Sequence, residues 1–229
     1  MPISNLICFV CGKTGTGKSF FTNYLIHKEY KLKRRKGIVI LDFRDDHLNM
    51  LHEKYKTDFY YLRISGEILN KYDIDWVNIL KKYPYLIISP YKLTQKEYQK
   101  LGNDVALGIV EVGDRVFVLE ESQLCFPIYD SIKRGFGILV TTGRKLGIDF
   151  YFTSQRAGTV NTTAVAEANI RVSFALDDLN DIQRMRNFFN DIDLSKLKRF
   201  EFVCKNTFTH KQVIGNTSRC EDVDKIIWG

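Results

Sequence analysis

The segment from Gly12 to Ser19 constrains this chain more than any other, because it has the full pattern of a phosphate-binding loop, G-x-x-x-x-G-K-[ST]. The run 5–10 before it, apolar after Asn5, predicts a buried strand, and the segment 20–26 after it predicts a helix. Glycines in such a turn allow backbone N–H groups to point inward toward an anion. We therefore expect a nucleoside triphosphate, taken to be ATP, to bind at this strand-to-helix turn.

The residues of the loop have distinct expected roles. Lys18 reaches the β- and γ-phosphates and so takes part in catalysis, and the Ser19 hydroxyl ligates Mg²⁺. The expected nucleotide-binding residues are those of the loop and the residue after it: Gly12, Lys13, Thr14, Gly15, Thr16, Gly17, Lys18, Ser19 and Phe20.

Composition sets only broad limits. The 229 residues fit a single P-loop ATPase domain, 1–229, in which the segment 58–110 is the candidate for a small insertion. No apolar run approaches the roughly 18 residues that a membrane helix needs. Five scattered cysteines argue against a disulfide framework and for a cytoplasmic location. Cys8 and Cys11 have C-x-x-C spacing but no second pair, so we expect a buried structural role for them.

The net charge of +7 permits a polyanionic partner without requiring one. The densest basic segment is 31–36, just after the first predicted helix. Its side chains either complement that helix end in solvent or contact DNA phosphates.

Predicted strands alternate with predicted helices, which indicates an α/β fold with a mostly parallel sheet covered on both faces. The predicted strands are 5–11, 37–42, 58–64, 84–89, 115–120, 148–153, 170–175 and 199–204. The predicted helices are 18–29, 74–82, 94–108, 129–145 and 178–189. In such sheets, ligand chemistry gathers at the carboxyl ends of the strands.

A second predicted nucleotide-binding element consists of the apolar residues 116–119 followed by Glu120 and Glu121. This is the pattern of a Walker B strand. Glu120 is expected to hold the Mg²⁺ shell, and Glu121 to polarise the water that attacks the γ-phosphate. Alone, such a run could equally be a strand before a solvated turn. Together with the phosphate loop it predicts a RecA-like P-loop NTPase of the additional-strand, catalytic-glutamate class.

A third predicted strand leads into Ser154-Gln155-Arg156, which places an amide where it could sense the γ-phosphate. With the preceding segment 144–148, it resembles the "R-x-x-G-I … T-Q-R-P" stretch of the FtsK–HerA superfamily of DNA-translocating ATPases. Three further segments resemble this superfamily in the same order: 38–44, 168–174 and 194–202. The similarity extends from about residue 5 to 205.

The resemblance implies that Gln155 couples the state of the γ-phosphate to movement. It also implies that Arg144 enters the neighbouring subunit's site as an arginine finger, with Arg156 and Arg171 as alternatives. Such a finger requires a homo-oligomeric ring, expected to be a hexamer, and the implied partner is double-stranded DNA. The sequence departs from the pattern at Glu120, where aspartate is usual, and at Ala157, where proline is usual.

The short chain, with no predicted membrane segment or separate DNA-binding domain, resembles the genome-packaging ATPases of membrane-containing icosahedral viruses. That resemblance implies an ATP-hydrolysing motor for double-stranded DNA in the host cytoplasm or on the virion, anchored by a capsid vertex or portal protein. A cellular or plasmid HerA/FtsK-like translocase is the alternative. A small-molecule P-loop kinase and a nucleotide-dependent switch also share the phosphate loop, but Glu121 and Gln155 favour hydrolysis.

Overall fold

Nine strands form one sheet in the computed structural model, which describes residues 5–190 and 192–228. The strands are β1 (Ile7–Cys11), β2 (Ile38–Leu41), β3 (Tyr60–Ser65), β4 (Tyr85–Tyr91), β5 (Val116–Leu119), β6 (Asp149–Ser154), β7 (Ile170–Phe174), β8 (Glu201–Asn206) and β9 (Gln212–Asn216).

The sheet order is β3-β4-β2-β5-β6-β1-β7-β8-β9. Every pairing from β3 to β7 is parallel, and β8 and β9 add antiparallel pairings at one edge. Strand β6 lies between β1, which leads into the phosphate loop, and β5, which carries the Walker B pattern. The predicted α/β fold with a mostly parallel sheet and an additional strand between the two motifs is confirmed.

Helices cover both faces of the sheet. They are α1 (Lys18–Leu32), α2 (Gly66–Lys71), α3 (Trp76–Lys82), α4 (Gln95–Val112), α5 (Arg134–Thr142), α6 (Thr162–Glu167), α7 (Leu179–Arg186) and α8 (Asp224–Ile227). In the described part of the chain, no helix is both long enough and apolar enough to cross a bilayer.

Two apolar cores hold the layers together. Successive side chains of a strand point to opposite faces, so Phe9 joins the core under α4 and α5 while Val10 joins the core under α1 and α8. Phe9 stacks on Phe152 of the adjacent strand with 4.9 Å between ring centroids. Burial on both faces explains why β1, β2 and β5 are continuously apolar.

The eight predicted strands agree with β1–β8 to within two residues at each end, but β9 was missed. This strand is short and contains Gly215, which packs so closely on Phe202 that an added Cβ would lie 2.6 Å from the ring. The helix predicted over 129–145 is wrong in its extent, because α5 covers only Arg134–Thr142. Asn161 donates a hydrogen bond to the Asp130 carbonyl at 3.0 Å and so holds the preceding segment in a loop.

The segment 58–110 contributes β3, β4, α2, α3 and most of α4 to the structure. Strands β3 and β4 continue the main sheet beyond β2. The single domain and its insertion stay predictions.

Part of the basic segment 31–36 has a structural role. Arg34 Nη2 and Arg35 Nε lie 2.7 Å and 2.8 Å from Asp149 Oδ2, and the Asp149 carboxylate is completely buried. Arg34 also contacts the buried Glu29 at 3.1 Å. These ion pairs join the end of α1 to the start of β6, so two of the basic side chains have buried partners within the chain.

Candidate active site

The phosphate loop connects β1 to α1 with the backbone that its glycines were expected to allow. Gly15 and Gly17 adopt positive φ angles of 77° and 109°, a region that residues with a Cβ rarely occupy. The Lys13 N–H donates to the Ala175 carbonyl oxygen at 3.2 Å, which fixes the loop to the end of β7. The loop is therefore held in place by its neighbour in the sheet as well as by its own sequence.

Lys18 is nearly buried at the first turn of α1, and its Nζ lies 3.4 Å from the Lys13 carbonyl oxygen. Burial lowers the pKa of Lys18, whereas the negative charges of Glu121 and Glu120 oppose this lowering. The ammonium group is thus close to both acids that follow β5. This arrangement places the cation where phosphate oxygens would lie between the loop and the acids.

Glu120 is held on both of its carboxylate oxygens. Oε1 lies 2.8 Å from His47 Nε2, and Oε2 accepts a hydrogen bond from the Thr153 hydroxyl. Burial alone would raise the pKa of Glu120, but the charge of His47 and these hydrogen bonds lower it. His47 Nδ1 lies 2.9 Å from Asn23 Oδ1, so both ring nitrogens face oxygen atoms, as suits a protonated ring. Glu120 is therefore an anion oriented by a buried cation.

Glu121 is the first residue after Glu120 and takes a left-handed conformation, with φ 46° and ψ 53°. Its Oε1 accepts from Gln155 Nε2 at 2.8 Å and lies 3.0 Å from Arg44 Nε. Its Oε2 accepts from Gln123 Nε2. The carboxylate predicted to activate water is thus held by two amides and a guanidinium.

Gln155 links two of the predicted site elements directly. It follows β6, and its Oε1 accepts a hydrogen bond from the Thr14 hydroxyl of the phosphate loop at 2.8 Å. Its Nε2 donates to Glu121 at the same distance. A displacement of the phosphate loop can therefore reach the acid through one side chain.

The loop after β2 contributes residues that the sequence analysis missed. Asp42 accepts backbone N–H groups from Arg44, Asp46 and His47 at 3.0–3.3 Å, which fixes the loop. The loop presents Arg44 to Glu121, His47 to Glu120, and Asp46 to Ser19, whose hydroxyl lies 3.2 Å from Asp46 Oδ2. The segment 42–47, which is polar except for Phe43 and follows an apolar strand, is a signal that could have identified them, because parallel strands gather their carboxyl ends at one edge.

The residues around Ser19 suit a magnesium ion delivered with a nucleotide. Within residues 5–190 and 192–228, no three His, Cys, Asp or Glu side chains form a metal cluster on their own. Mg²⁺ is typically bound by one or two protein oxygen ligands together with substrate phosphates and water. The Ser19 hydroxyl, the Asp46 carboxylate and Glu120 provide oxygen donors of that kind.

Phe20 is half-buried, and Lys54 Nζ lies 4.0 Å from its ring centroid.

A cavity of about 430 Å³ opens along the other side of the phosphate loop. Arg199, which also escaped the sequence analysis, lines this cavity, and its Nε lies 3.3 Å from the Gly15 carbonyl oxygen. The cavity could accommodate parts of a nucleotide beyond the phosphates.

Arg144 lies far from the phosphate loop of its own chain. It is an exposed residue in the short turn Gly143–Leu146 before β6, whereas Gln155 follows the opposite end of that strand. At about 3.3 Å per residue, β6 separates the two by roughly 20 Å. Arg144 can act only in another subunit's site, and that role stays a prediction.

The two alternative finger residues are engaged within the chain. Arg156 lies 2.8 Å from both Asp178 and Asp181. Arg171 is buried, donates to two carbonyl oxygens of α6, and lies 3.9 Å from the Phe188 ring centroid. These contacts give both arginines structural roles and make them poorer candidates than Arg144.

Comparison with known proteins places the fold. Residues 8–104 match the family model for the central domain of the helicase HerA. The genome packaging NTPase B204 from Sulfolobus turreted icosahedral virus 2, in complex with AMP, is similar with a TM-score of 0.69 and 14% identity. That match covers 93% of this chain and 98% of B204. No curated protein sequence is significantly similar to the chain.

A second solved structure, VirB4 of Thermoanaerobacter pseudethanolicus, has a TM-score of 0.63 and 13% identity. It matches over 91% of this chain and 88% of its own. B204 has also been solved with AMPPCP and with ATP-gammaS. The family model covers the phosphate loop and the loop after β2, while the structural similarity extends over nearly the whole chain.

Proposed function

We propose that this chain, a P-loop ATPase of the FtsK–HerA superfamily, uses ATP hydrolysis to move double-stranded DNA. The superfamily predicted from the Gln155 motif is confirmed by the match to the HerA central domain, and the fold agrees with B204 and VirB4. The observation that carries the proposal is the position of Gln155 between Thr14 and Glu121. A motor must transmit the state of the γ-phosphate to other parts of the protein, and this contact provides a direct route.

In the proposed complex, the loop N–H groups and Lys18 hold the β- and γ-phosphates. Ser19, Asp46 and Glu120 would hold Mg²⁺, which neutralises phosphate charge when it is bound. His47 and Thr153 orient Glu120 through contacts to its two oxygens. The longer glutamate, where aspartate is usual, is thereby held in one position.

Glu121 is the proposed general base. It takes a proton from water as the water oxygen forms a bond to the γ-phosphorus, and the bond from that phosphorus to the bridging oxygen breaks. The electron pair of the broken bond stays on the ADP product, and the proton passes from Glu121 to the released phosphate. This reaction requires Glu121 to give up at least one of its present contacts so that a water can approach.

The proposed assembly is a homo-oligomeric ring, taken as a hexamer, in which Arg144 of one subunit completes the site of the next. We favour packaging of a viral genome as the setting, because B204, a genome packaging NTPase, shares the fold over almost its full length. A capsid vertex or portal protein would then anchor the ring. A HerA/FtsK-like translocase of a cell or plasmid is the second candidate, favoured by the match to the HerA domain.

The test is ATP hydrolysis with and without duplex DNA over a range of salt concentrations, together with the oligomeric state in ATP. We expect duplex DNA to stimulate turnover at low salt and the stimulation to fall as salt rises, because phosphate contacts release counterions. Lys18→Ala should abolish turnover and weaken ATP binding, whereas Glu121→Gln should keep binding and lose turnover. Absence of stimulation at every salt concentration, with no oligomer in ATP, would reject the motor. Phosphate transfer to a nucleoside monophosphate would indicate a kinase instead.

A further inference from the structure

We propose that Arg44 is a catalytic arginine that acts within its own subunit: it binds the γ-phosphate of ATP and, in moving to it, releases Glu121 to activate water. The inference rests on the proposed ATPase site and adds to it a residue that the sequence motifs did not assign. It starts from the ion pair between Arg44 Nε and Glu121 Oε1, which are 3.0 Å apart.

The position of Arg44 is built into the loop after β2. Asp42 is completely buried, and its Oδ1 accepts the Arg44 backbone N–H at 3.1 Å. The Arg44 side chain is 47% exposed, whereas that of Glu121 is 5% exposed. The backbone of Arg44 is thus fixed while its side chain remains at the mouth of the site, an arrangement that lets the guanidinium change partners.

The γ-phosphate has to enter the space next to this ion pair. Gln155 contacts Thr14 of the phosphate loop on one side and Glu121 on the other, so the loop and the acid are only one side chain apart. Lys18 lies close enough to Arg44 and Glu121 for the charges of both to influence it. A phosphate held by the loop and Lys18 would therefore lie near the Arg44 guanidinium.

The chemistry favours an exchange of partners. The present ion pair uses Nε, and the guanidinium carries four further N–H donors on its Nη atoms. A terminal phosphate offers three oxygens with a larger negative charge than one carboxylate, and arginine binds such groups through paired hydrogen bonds. Transfer of Arg44 to the phosphate removes the guanidinium from Glu121 Oε1, which leaves that side of the carboxylate open to an attacking water.

The three arginines considered as fingers do not meet this requirement. Arg144 lies before the amino end of β6, away from the carboxyl ends of the strands, and Arg156 and Arg171 have partners elsewhere in the chain. Arg44 would stabilise charge on the transferring phosphoryl group from within the subunit, as Arg144 is proposed to do from the next one. In the absence of ATP, the same guanidinium stays paired with the Glu121 carboxylate.

The test compares ATP and ADP affinity in Arg44→Ala on a Glu121→Gln background, without DNA. If Arg44 binds the γ-phosphate, ATP affinity falls on the order of tenfold to hundredfold while ADP affinity is unchanged. If Arg44 only holds Glu121, removing Glu121 removes its effect, and both affinities stay as in Glu121→Gln alone. That result, or an equal loss of both affinities, would overturn the proposal.

Turnover provides the second readout. Arg44→Ala with Glu121 intact should lower kcat on the order of 10³-fold, and Arg44→Lys should retain more ATP affinity than Arg44→Ala. Arg63→Ala is the matched control. Arg63 lies on the edge strand β3, where its guanidinium packs over the Tyr91 ring of β4. Thermal melts establish that each variant folds. If Arg44→Ala does not fold, Arg44→Gln takes its place. No step of this test uses DNA. A lack of DNA stimulation would therefore reject the motor without affecting the conclusion about Arg44.

Discussion

Gln155 Nε2 lies 2.8 Å from Glu121 Oε1, and the other end of the same amide accepts a hydrogen bond from Thr14. The two contacts use opposite atoms of one side chain, so Gln155 cannot follow one partner without changing its position relative to the other. Thr14 belongs to the phosphate loop and is exposed, whereas Glu121 is buried. The amide thus spans the boundary between the ligand and the proposed base.

Replacing Gln155 should therefore affect hydrolysis more than binding. We expect Gln155→Ala to leave ATP affinity within a few-fold of the original and to lower kcat about 10²-fold, because Glu121 loses a hydrogen bond that orients it. Steady-state kinetics and equilibrium binding separate the two effects. Gln99→Ala is the control, since Gln99 bonds Asp130 outside this network. A large loss of ATP affinity with unchanged kcat would contradict this role.

Much of the site could be predicted because its motifs are local in sequence. The glycine spacing determines the loop around Lys18, and an apolar strand followed by two acids places Glu120 and Glu121 at the carboxyl edge. Gln155 joins them because β6 is parallel to β1 and β5 and ends at the same edge. Ladder geometry then brings together residues that are more than a hundred positions apart in the sequence.

The residues that were missed depend on contacts that spacing does not encode. His47 lies next to Glu120 only because Asp42 folds the loop after β2 back over the site. Arg44 similarly contacts Glu121, which lies 77 positions later in the sequence. A polar run at a strand end predicts that some residues enter the site, but it does not predict which acid each one contacts.

The buried pairing of Arg34 and Arg35 with Asp149 predicts a large effect on stability. Asp149→Asn should lower the free energy of unfolding by about 3–5 kcal/mol, because both guanidinium groups lose the buried carboxylate that they share. Urea denaturation measures the loss. Asp114→Asn is the matched control: Asp114 pairs with the mostly exposed Lys36 at 3.5 Å, so its removal should cost less than about 1 kcal/mol. Equal losses in the two variants would show that the pairing at Asp149 is not structural.

Cys11 predicts a decline in stability at alkaline pH. Burial raises the pKa of this thiol from 9.0 to about 12, so the folded chain keeps a proton that the unfolded chain releases. The stabilisation is complete below pH 9 and is lost as the pH rises from about 9 toward 12. In Cys11→Ala, the loss of stability between pH 7.5 and pH 10 should shrink by on the order of 1 kcal/mol.

Urea denaturation at the two pH values tests the Cys11 prediction. Leu25→Ala is the control, since it destabilises the core without removing a titratable group. Its pH dependence should match that of the unmodified chain. If Cys11→Ala has the same pH dependence as Leu25→Ala, Cys11 does not titrate as its burial requires.

Arg144 gives the sharpest test of an active site shared between subunits. Arg144→Ala should keep ATP binding and lower kcat on the order of 10³-fold, because it removes the group that we propose stabilises phosphoryl charge from the next subunit. Glu121→Gln subunits retain Arg144 but lack the proposed base. When the two variants are mixed, an Arg144→Ala site beside a Glu121→Gln subunit regains its arginine, so turnover should exceed the sum of the separate variants. Lys145→Ala, which alters the adjacent exposed residue, should behave as the unmodified chain. Mixed rings that assemble without any gain in turnover would exclude Arg144 as the finger.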